Sequence, residues 1–309
     1  MSISLKRYPL VSIITVNFNQ AVVTCALLES LNKITYPNLE VIVVDNHSTK
    51  DDPSIIKKRY PNIVFIQNPI NYGFAAGNNY GLMRARGEYV MLLNNDIEVP
   101  PDFLEPLIAK LERNPDIGAV SPRIRFYYQP DIIQYAGYTP MDKITIRNAA
   151  IGYREKDVGQ YNEDRETPSA HGAAMVVPIR VVKEIGLMSY IFFLYYEEAD
   201  WCERILRAGY KIYYVGSSYV LHKESVSTGK LSTLKIYYLN RNRIVFMRRN
   251  LHGKEYYVAL LYQLFVAIPK NAFSFLLKGK ISLFLAYYRA IGWHVTHLFS
   301  KEIHENPML

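Results

Sequence analysis

Residues 92–99 read LLNNDIEV. An apolar run ends there on two asparagines and an aspartate. A carboxylate at the end of a buried run is costly unless it is paired or bound to a metal. The triplet is therefore either a turn or part of a site, and its neighbours decide which. LVSIITV (10–16), EVIVVD (40–45), IVFIQN (63–68) and YVMLLN (89–94) are apolar runs of strand length. Helical patterns alternate with them: VVTCALLESLNKI (22–34), a segment around 52–60 and another near 75–86, with PDFLEPLIAKLERN (101–114) after the last strand. This alternation implies an α/β fold built from parallel βαβ units, with both faces of the sheet covered. Ligands bind such sheets at the carboxyl ends of the strands. Asn17, Asp45, Asn68 and Asn94 to Asp96 all fall at those ends.

The 309 residues are enough for one large domain, or a domain with an appendage. Half the residues are apolar and 21% are charged, which excludes a disordered chain. The two cysteines, Cys25 and Cys202, form neither a disulfide framework nor a zinc spacing, which points to a reducing compartment. The net charge of +8 is uneven: from Lys223 onward, 13 Lys and Arg stand against 4 Asp and Glu. The tail carries the whole excess, as a polyanionic partner would require.

From 127 to 170 the pattern loosens into a long loop with weak strands. HGAAMVVP (171–178) reads as a strand, EEADWCERILRAGY (197–210) as a helix, and KIYYVG (211–216) and SSYVLH (217–222) as two short strands. Beyond His222 the chain turns basic and aromatic, with KIYYLNRNRIVFMRRN (235–250), YYVALLYQLFVAI (256–268) and ISLFLAYYRAIGW (281–293). No run reaches the roughly 18–20 apolar residues of a bilayer-spanning helix. Apolar segments bordered by Lys and Arg suit helices lying in a membrane interface, and packing on the sheet or a dimer is the alternative.

Four constellations carry chemistry. TVNFN (15–19) and VVDNHST (43–49) place polar groups at strand ends, where an acid can bind a base or ribose. NYGFAAGNNYGL (71–82) has glycines that allow close backbone approach, but not the G-x-G-x-x-G spacing. NND (94–96) with His222 has the donors for a loose Mn²⁺ or Mg²⁺ site. EEAD (197–200) clusters acids, which raise one another's pKa, so that one can serve as a general base. Each alone has an ordinary reading as a turn or as helix N-terminal charge.

In this order the set resembles the family 2 glycosyltransferases, inverting nucleotide-sugar transferases of the GT-A fold, and most closely their rhamnosyltransferase-like branch. VSIITVNFN, VIVVDNHSTKDD, NYGFAAGNNYGL, YVMLLNNDIEV, HGAAMVVP, FLYYEEADWCERILRAGYKI, VLHKESVS and YYLNRNRIVFMRRN carry the likeness, over residues 9–250. The resemblance implies a mostly parallel Rossmann-like sheet with helices on both faces and amphipathic helices at the C-terminus. It divides the chain into a GT-A domain at 1–230 and a basic, aromatic, helical region at 231–309. Within the domain, the nucleotide-sugar half lies at 9–125 and the acceptor half at 126–230.

The resemblance also implies roles. Thr15, Asn17 and Asp45 would hold the base and ribose. Asn71, Gly73, Phe74 and Asn78 would line the nucleotide and diphosphate, with Asn94 and Asn95. The family's Asp-x-Asp reads Asn94-Asn95-Asp96 here, so Asp96 would be the main ligand of a divalent cation (Mn²⁺ or Mg²⁺), with His222 as another. Glu198 would be the base. The usual residue there is Asp, which leaves Glu197 and Asp200 as contenders. The implied reaction moves rhamnose or another hexose from a nucleotide-diphosphate sugar to a hydroxyl. The acceptor would be a glycan or a polyprenyl-diphosphate-linked sugar in cell-wall polysaccharide synthesis. The enzyme would be cytoplasmic and peripheral on the inner face of the membrane, with Arg241, Arg243, Arg248 and Arg249 meeting anionic headgroups or the lipid diphosphate.

Three other readings compete. The missing first metal acid suits a catalytically degenerate binding or scaffold protein, but EEAD and His222 oppose it. The long excursion opposes a polyprenyl-phosphate sugar transferase. The basic tail suits a nucleic-acid binder, but it is too apolar for a solvated groove, so no nucleic-acid partner is expected.

Overall fold

A computed structural model describes residues 7–223 and 232–309. The expected domain boundary at 230 and the end of VLHKESVS lie outside the described residues. The first half alternates as read: β1 (Val11–Asn17), α1 (Ala21–Leu31), β2 (Leu39–Asp45), α2 (Ser54–Arg59), β3 (Val64–Gln67), α3 (Gly73–Leu82) and β4 (Tyr89–Leu93). β5 (Ile97–Glu98) and α4 (Leu104–Arg113) follow, then β6 (Ile117–Phe126), β7 (Gln129–Tyr135), β8 (Arg165–Glu166), β9 (Ala174–Pro178), α5 (Ile179–Ile185), α6 (Glu197–Arg207) and β10 (Lys211–His222).

The sheet order is β3-β2-β1-β4-β9-β6-β10-β5, with β7 on β6 and β8 on β10. β3, β2, β1 and β4 are parallel, as β6 and β10 are to each other. β9 runs antiparallel between β4 and β6. The strands are apolar throughout because both faces are buried. Ile13, Val43 and Met91 enter one core with Leu27, Ile56, Leu107 and Leu111 of α1, α2 and α4. Ile14, Val44 and Leu92 enter the other with Leu82, Val181 and Trp201 of α3, α5 and α6.

Three elements differ from the sequence reading. β6 was not read as a strand, because Pro122 sits inside it and proline normally demotes a strand. Pro122 stands opposite Val215, and the register then jumps to Arg123 opposite Tyr219, so a bulge absorbs the irregularity. The same bulge makes one strand, β10, of what reads as two. Thirdly, the looser 127–170 stretch contributes β7 and β8 and the bridges Ile132–Lys156 and Tyr138–Ala150.

The C-terminal helices are α7 (Thr233–Asn250), α8 (Gly253–Tyr262), α9 (Ile268–Leu277) and α10 (Ile281–Thr296). Val245, Phe246 and Met247 of α7 pack with Phe192, Ile146 and Ile303. A π-helical stretch at 263–267 joins α8 to α9. Gly253–Leu277 is therefore one 25-residue helix, long and apolar enough by length and composition to cross a membrane, with only 11% of its most apolar window buried. This corrects the expectation that no segment reaches that length. Gln263 and Pro269 interrupt the composition but not the helix, because the wider π turn precedes the proline and accommodates its missing N–H.

Candidate active site

β1 and β2 end side by side, with Asn17 opposite Asp45. Both side chains are fully buried. Asn17 Nδ2 donates to Asp45 Oδ1 at 2.8 Å, and Asn17 Oδ1 accepts from Thr24 Oγ1 at 2.7 Å. Ser48 completes the carboxylate's shell, with Oγ donating at 2.6 Å and the backbone N at 3.1 Å. Thr15 is buried on the same strand, and its hydroxyl has no hydrogen-bond partner among the described residues. Asn95 was expected on the nucleotide. Its amide instead donates to Thr24 Oγ1 at 3.1 Å, which ties it to α1.

Asn46, which the sequence reading passed over, links this corner to α3. Its Nδ2 donates to Asn71 Oδ1 at 2.9 Å and to Gly73 O at 2.8 Å, and its Oδ1 accepts from Asn68 Nδ2 at 3.0 Å. Its position just past a strand end was the available signal. Asn78 Nδ2 bonds Phe74 O at 2.9 Å within α3. Gly73 has φ +82°, and a Cβ there would run into the carbonyl and ring of Phe193. The Phe74 N–H donates to that same carbonyl at 2.6 Å. Gly73→Ala is therefore expected to destabilise the fold by about 1–3 kcal/mol through backbone conformation alone. Denaturant unfolding would check this, and an unchanged midpoint would show that the segment can move away.

Asp96 and His222 meet across β5 and β10. Asp96 Oδ1 lies 3.2 Å from His222 Nε2. His222 Nδ1 faces Gln134 Oε1 at 2.7 Å. An amide oxygen only accepts, so Nδ1 carries the proton and Nε2 presents a lone pair toward the carboxylate, the tautomer a metal ligand needs. Asp96 Oδ1 and Asn94 Oδ1 are buried without a hydrogen-bond partner among the described residues. A lone pair facing a carboxylate with nothing between them is unfavourable. The two atoms stand near the separation of about 3 Å expected for adjacent ligands bonded at about 2.1 Å to one small divalent ion. The donor set fits such an ion. Among the described residues no group of three His, Cys, Asp or Glu forms a metal cluster, so further ligands would come from Asn94, solvent and a diphosphate.

The 171–174 turn connects this pair to the acids. Asn94 N donates to Ala173 O at 2.9 Å. His171 is 6.3 Å from His222, ring to ring, and stacks on Tyr138 at 5.8 Å. Burial first, and then His222, push the His171 pKa down to about 3. Its Nδ1 accepts from Ala173 N at 3.1 Å, so this residue is a neutral wall of the site. Gly172 lies against the Glu198 side chain, where a Cβ would stand 3.1 Å from Cγ. Oε2 of Glu197 and Oε2 of Glu198 are both buried and unbonded among the described residues. Burial raises both pKa values, and Glu198 pushes that of Glu197 further up. Two carboxylates with free oxygens and raised proton affinity are poised to take a proton.

Asp200 is different, and its candidacy as the base is corrected. Both its oxygens are engaged: Arg249 Nε donates to Oδ1 at 2.7 Å and Nη2 to Oδ2 at 3.0 Å, Asn250 Nδ2 reaches Oδ1 at 2.9 Å, and Arg204 stands 3.3 Å away. It locks α6 to α7. Asp200→Ala would leave two buried guanidinium groups facing no carboxylate, an expected loss of about 3–5 kcal/mol in urea unfolding. A loss under about 1 kcal/mol would return Asp200 to the list of contenders.

The four arginines of α7 are corrected as well. Arg249 and Arg241 are buried, Arg249 on Asp200 and Arg241 on the carbonyls of Ile191 and Phe192. Arg243 donates to the Tyr196 hydroxyl at 3.2 Å, and Arg248 to the carbonyls of His297 and Leu298 at 3.0 and 2.6 Å. They hold backbone and helix ends together and are not aimed at lipid.

The chain matches the family model "Glycosyl transferase family 2" over residues 12–185, more than half its length. It is 29% identical over 251 residues to the uncharacterized protein y4gI of Sinorhizobium fredii, covering 78% of this chain and 27% of that one. It is 28% identical over 226 residues to the N-acetylglucosaminyl-diphospho-decaprenol L-rhamnosyltransferase of Mycobacterium tuberculosis, covering 66% and 72% of the two chains. This chain thus spans about a quarter of the first relative and most of the second. In fold it is similar to the mannosyltransferase PcManGT of Pyrobaculum calidifontis, solved with GDP-Man and Mn²⁺, with a TM-score of 0.57 and 17% identity over 94% of this chain and 76% of that one. The sheet, its flanking helices and these likenesses are those of a GT-A transferase, and the chain belongs to the family 2 glycosyltransferases.

Proposed function

We propose that the protein is an inverting transferase that moves a hexose such as rhamnose from a nucleotide-diphosphate sugar to an acceptor hydroxyl. The observation that carries this reading is the pair of buried, unbonded carboxylates at the start of α6. They are joined through Gly172 and His171 to the facing Asp96 and His222.

Asn17 and Asp45 hold the base and ribose, and the start of α3 lines the diphosphate. Glu198 takes the proton from the acceptor hydroxyl, whose oxygen then attacks the anomeric carbon. The bond to the diphosphate breaks on the opposite side, and the configuration inverts. Glu197, with the higher proton affinity, keeps its proton and leaves the negative charge on Glu198. A divalent cation on Asp96 and His222, when bound, would stabilise charge on the departing diphosphate.

The acceptor in this reading is a polyprenyl-diphosphate-linked sugar or a glycan in cell-surface polysaccharide synthesis, in keeping with the decaprenol-linked name of the mycobacterial relative. The exposed apolar face of Gly253–Leu277, with Phe265, Phe273 and Leu277, would rest on the membrane. Lys270, Lys278 and Lys280 beside it would meet anionic headgroups, each contributing about 1 kcal/mol.

Calorimetric titration with dTDP-rhamnose, UDP-sugars and GDP-mannose, each with Mn²⁺ and with chelator, tests the reading. Binding of one donor that is lost on chelation is expected. No binding of any donor would favour the degenerate scaffold.

A further inference from the structure

The segment 191–196, IFFLYY, delivers Glu197 and Glu198 to the site in an unusual backbone. Phe193, Tyr195 and Tyr196 have φ of 60°, 72° and 72°. Left-handed backbone is unfavourable for residues with a Cβ, and three such residues in four persist only where the surroundings over-determine them. The surroundings here come from α7, about 50 residues away in the chain.

Asn242 is fully buried, and its Nδ2 donates to the carbonyls of Phe192, Leu194 and Tyr195 at 2.7, 2.7 and 2.8 Å. Its Oδ1 accepts from Arg241 Nε at 2.8 Å, which fixes which end of the amide faces the loop. Arg241 donates to Ile191 O and Phe192 O. Phe193 stacks on Tyr238 of α7 at 4.8 Å. The far side of the loop meets α3 through Phe193 O and Phe74 N.

We propose that Asn242, fixed by Arg241, is a positioning residue. It holds the 191–196 backbone in its strained form, and so sets the carboxylates of α6 against the start of α3. The inference rests on the transferase reading for its catalytic consequence, but not for its structural one. It also gives the C-terminal helices a part in building the site, besides any contact with lipid. A side chain that offers only oxygens to three carbonyls cannot hold them, so Asn242→Asp is the direct test at constant shape.

The full-length protein would be examined by hydrogen exchange over residues 190–199. Nucleoside diphosphate release would be followed from whichever of dTDP-rhamnose, UDP-glucose and GDP-mannose the wild type turns over. The variant is expected to exchange at least tenfold faster there, and kcat is expected to fall by about 10²-fold, the scale of a misplacement near 1 Å. Calorimetric donor stoichiometry should stay near one per chain, which separates a mis-set loop from a smaller folded fraction. If Asn242→Asp does not fold, Asn242→Ser is read in the same way. Unchanged exchange in the loop, or kcat within threefold of wild type, overturns the proposal. Failure of the wild type to turn over any donor would instead count against the transferase reading, while the exchange result still decides the clamp.

Discussion

Glu198→Gln should leave donor binding intact and reduce kcat by about 10²–10⁴-fold, the usual contribution of a general base. That corresponds to about 3–5 kcal/mol of transition-state stabilisation. The substitution keeps the shape and removes only the ability to accept a proton, so the Kd for donor should stay within about threefold. Burial raises the Glu198 pKa, so the acid limb of kcat against pH should lie above the usual carboxylate range in the wild type. Activity rises with pH as the carboxyl loses its proton. Stability runs the other way. Folding raises the pKa of Glu197 and of Glu198, so the folded state keeps protons that the unfolded chain has released. Stability is then greatest below the unfolded pKa and falls as pH rises through the folded values. Glu197→Gln should remove part of that fall. Near-normal transfer in Glu198→Gln would move the base to Glu197, because Asp200 is bound by Arg249 and Asn250.

Asp96→Ala should abolish the dependence of donor binding on metal. With Mn²⁺ present, donor affinity should fall to the value the wild type shows in chelator, a loss of about 10²-fold or more, since even outer partners of metal ligands contribute 10–100-fold. The fold should tolerate the change. The carboxylate's Oδ1 has no hydrogen bond to lose, and removing it leaves His222 held by Gln134. Gln134→Ala should act on the same property more weakly, by freeing the ring to adopt the other tautomer. Metal-dependent donor binding that survives in Asp96→Ala would place the cation elsewhere and end the reading of Asn94-Asn95-Asp96 as the metal motif.

The nucleotide half of the sheet was legible because its strands are buried on both faces. That burial writes them as continuous apolar runs that end where polar residues begin, and Asn17, Asp45 and Asp96 mark those ends directly. The acids of α6 were equally plain as a cluster. Their division of labour was not. Glu198 and Asp200 differ by two positions in one helix, and only the arrival of Arg249, 49 residues later, neutralises one and leaves the other free. The arginines of α7 misled for the same reason, since a basic stripe has one composition whether it faces lipid or caps buried carbonyls. β6 stayed hidden behind Pro122, whose missing N–H matters only once a neighbour and a bulge are known.

Thus the amino-acid order by itself determined the α/β class, the strand-end polar groups and the acidic cluster. These depend on local periodicity and on which side chains must be buried. The tertiary structure alone decided which carboxylates remain unpaired, which arginines are structural, and that Asn242 supports the strained approach to Glu197. Each of those depends on a partner brought across the fold, and the energy of a buried charge or an unfavourable φ is set by that partner.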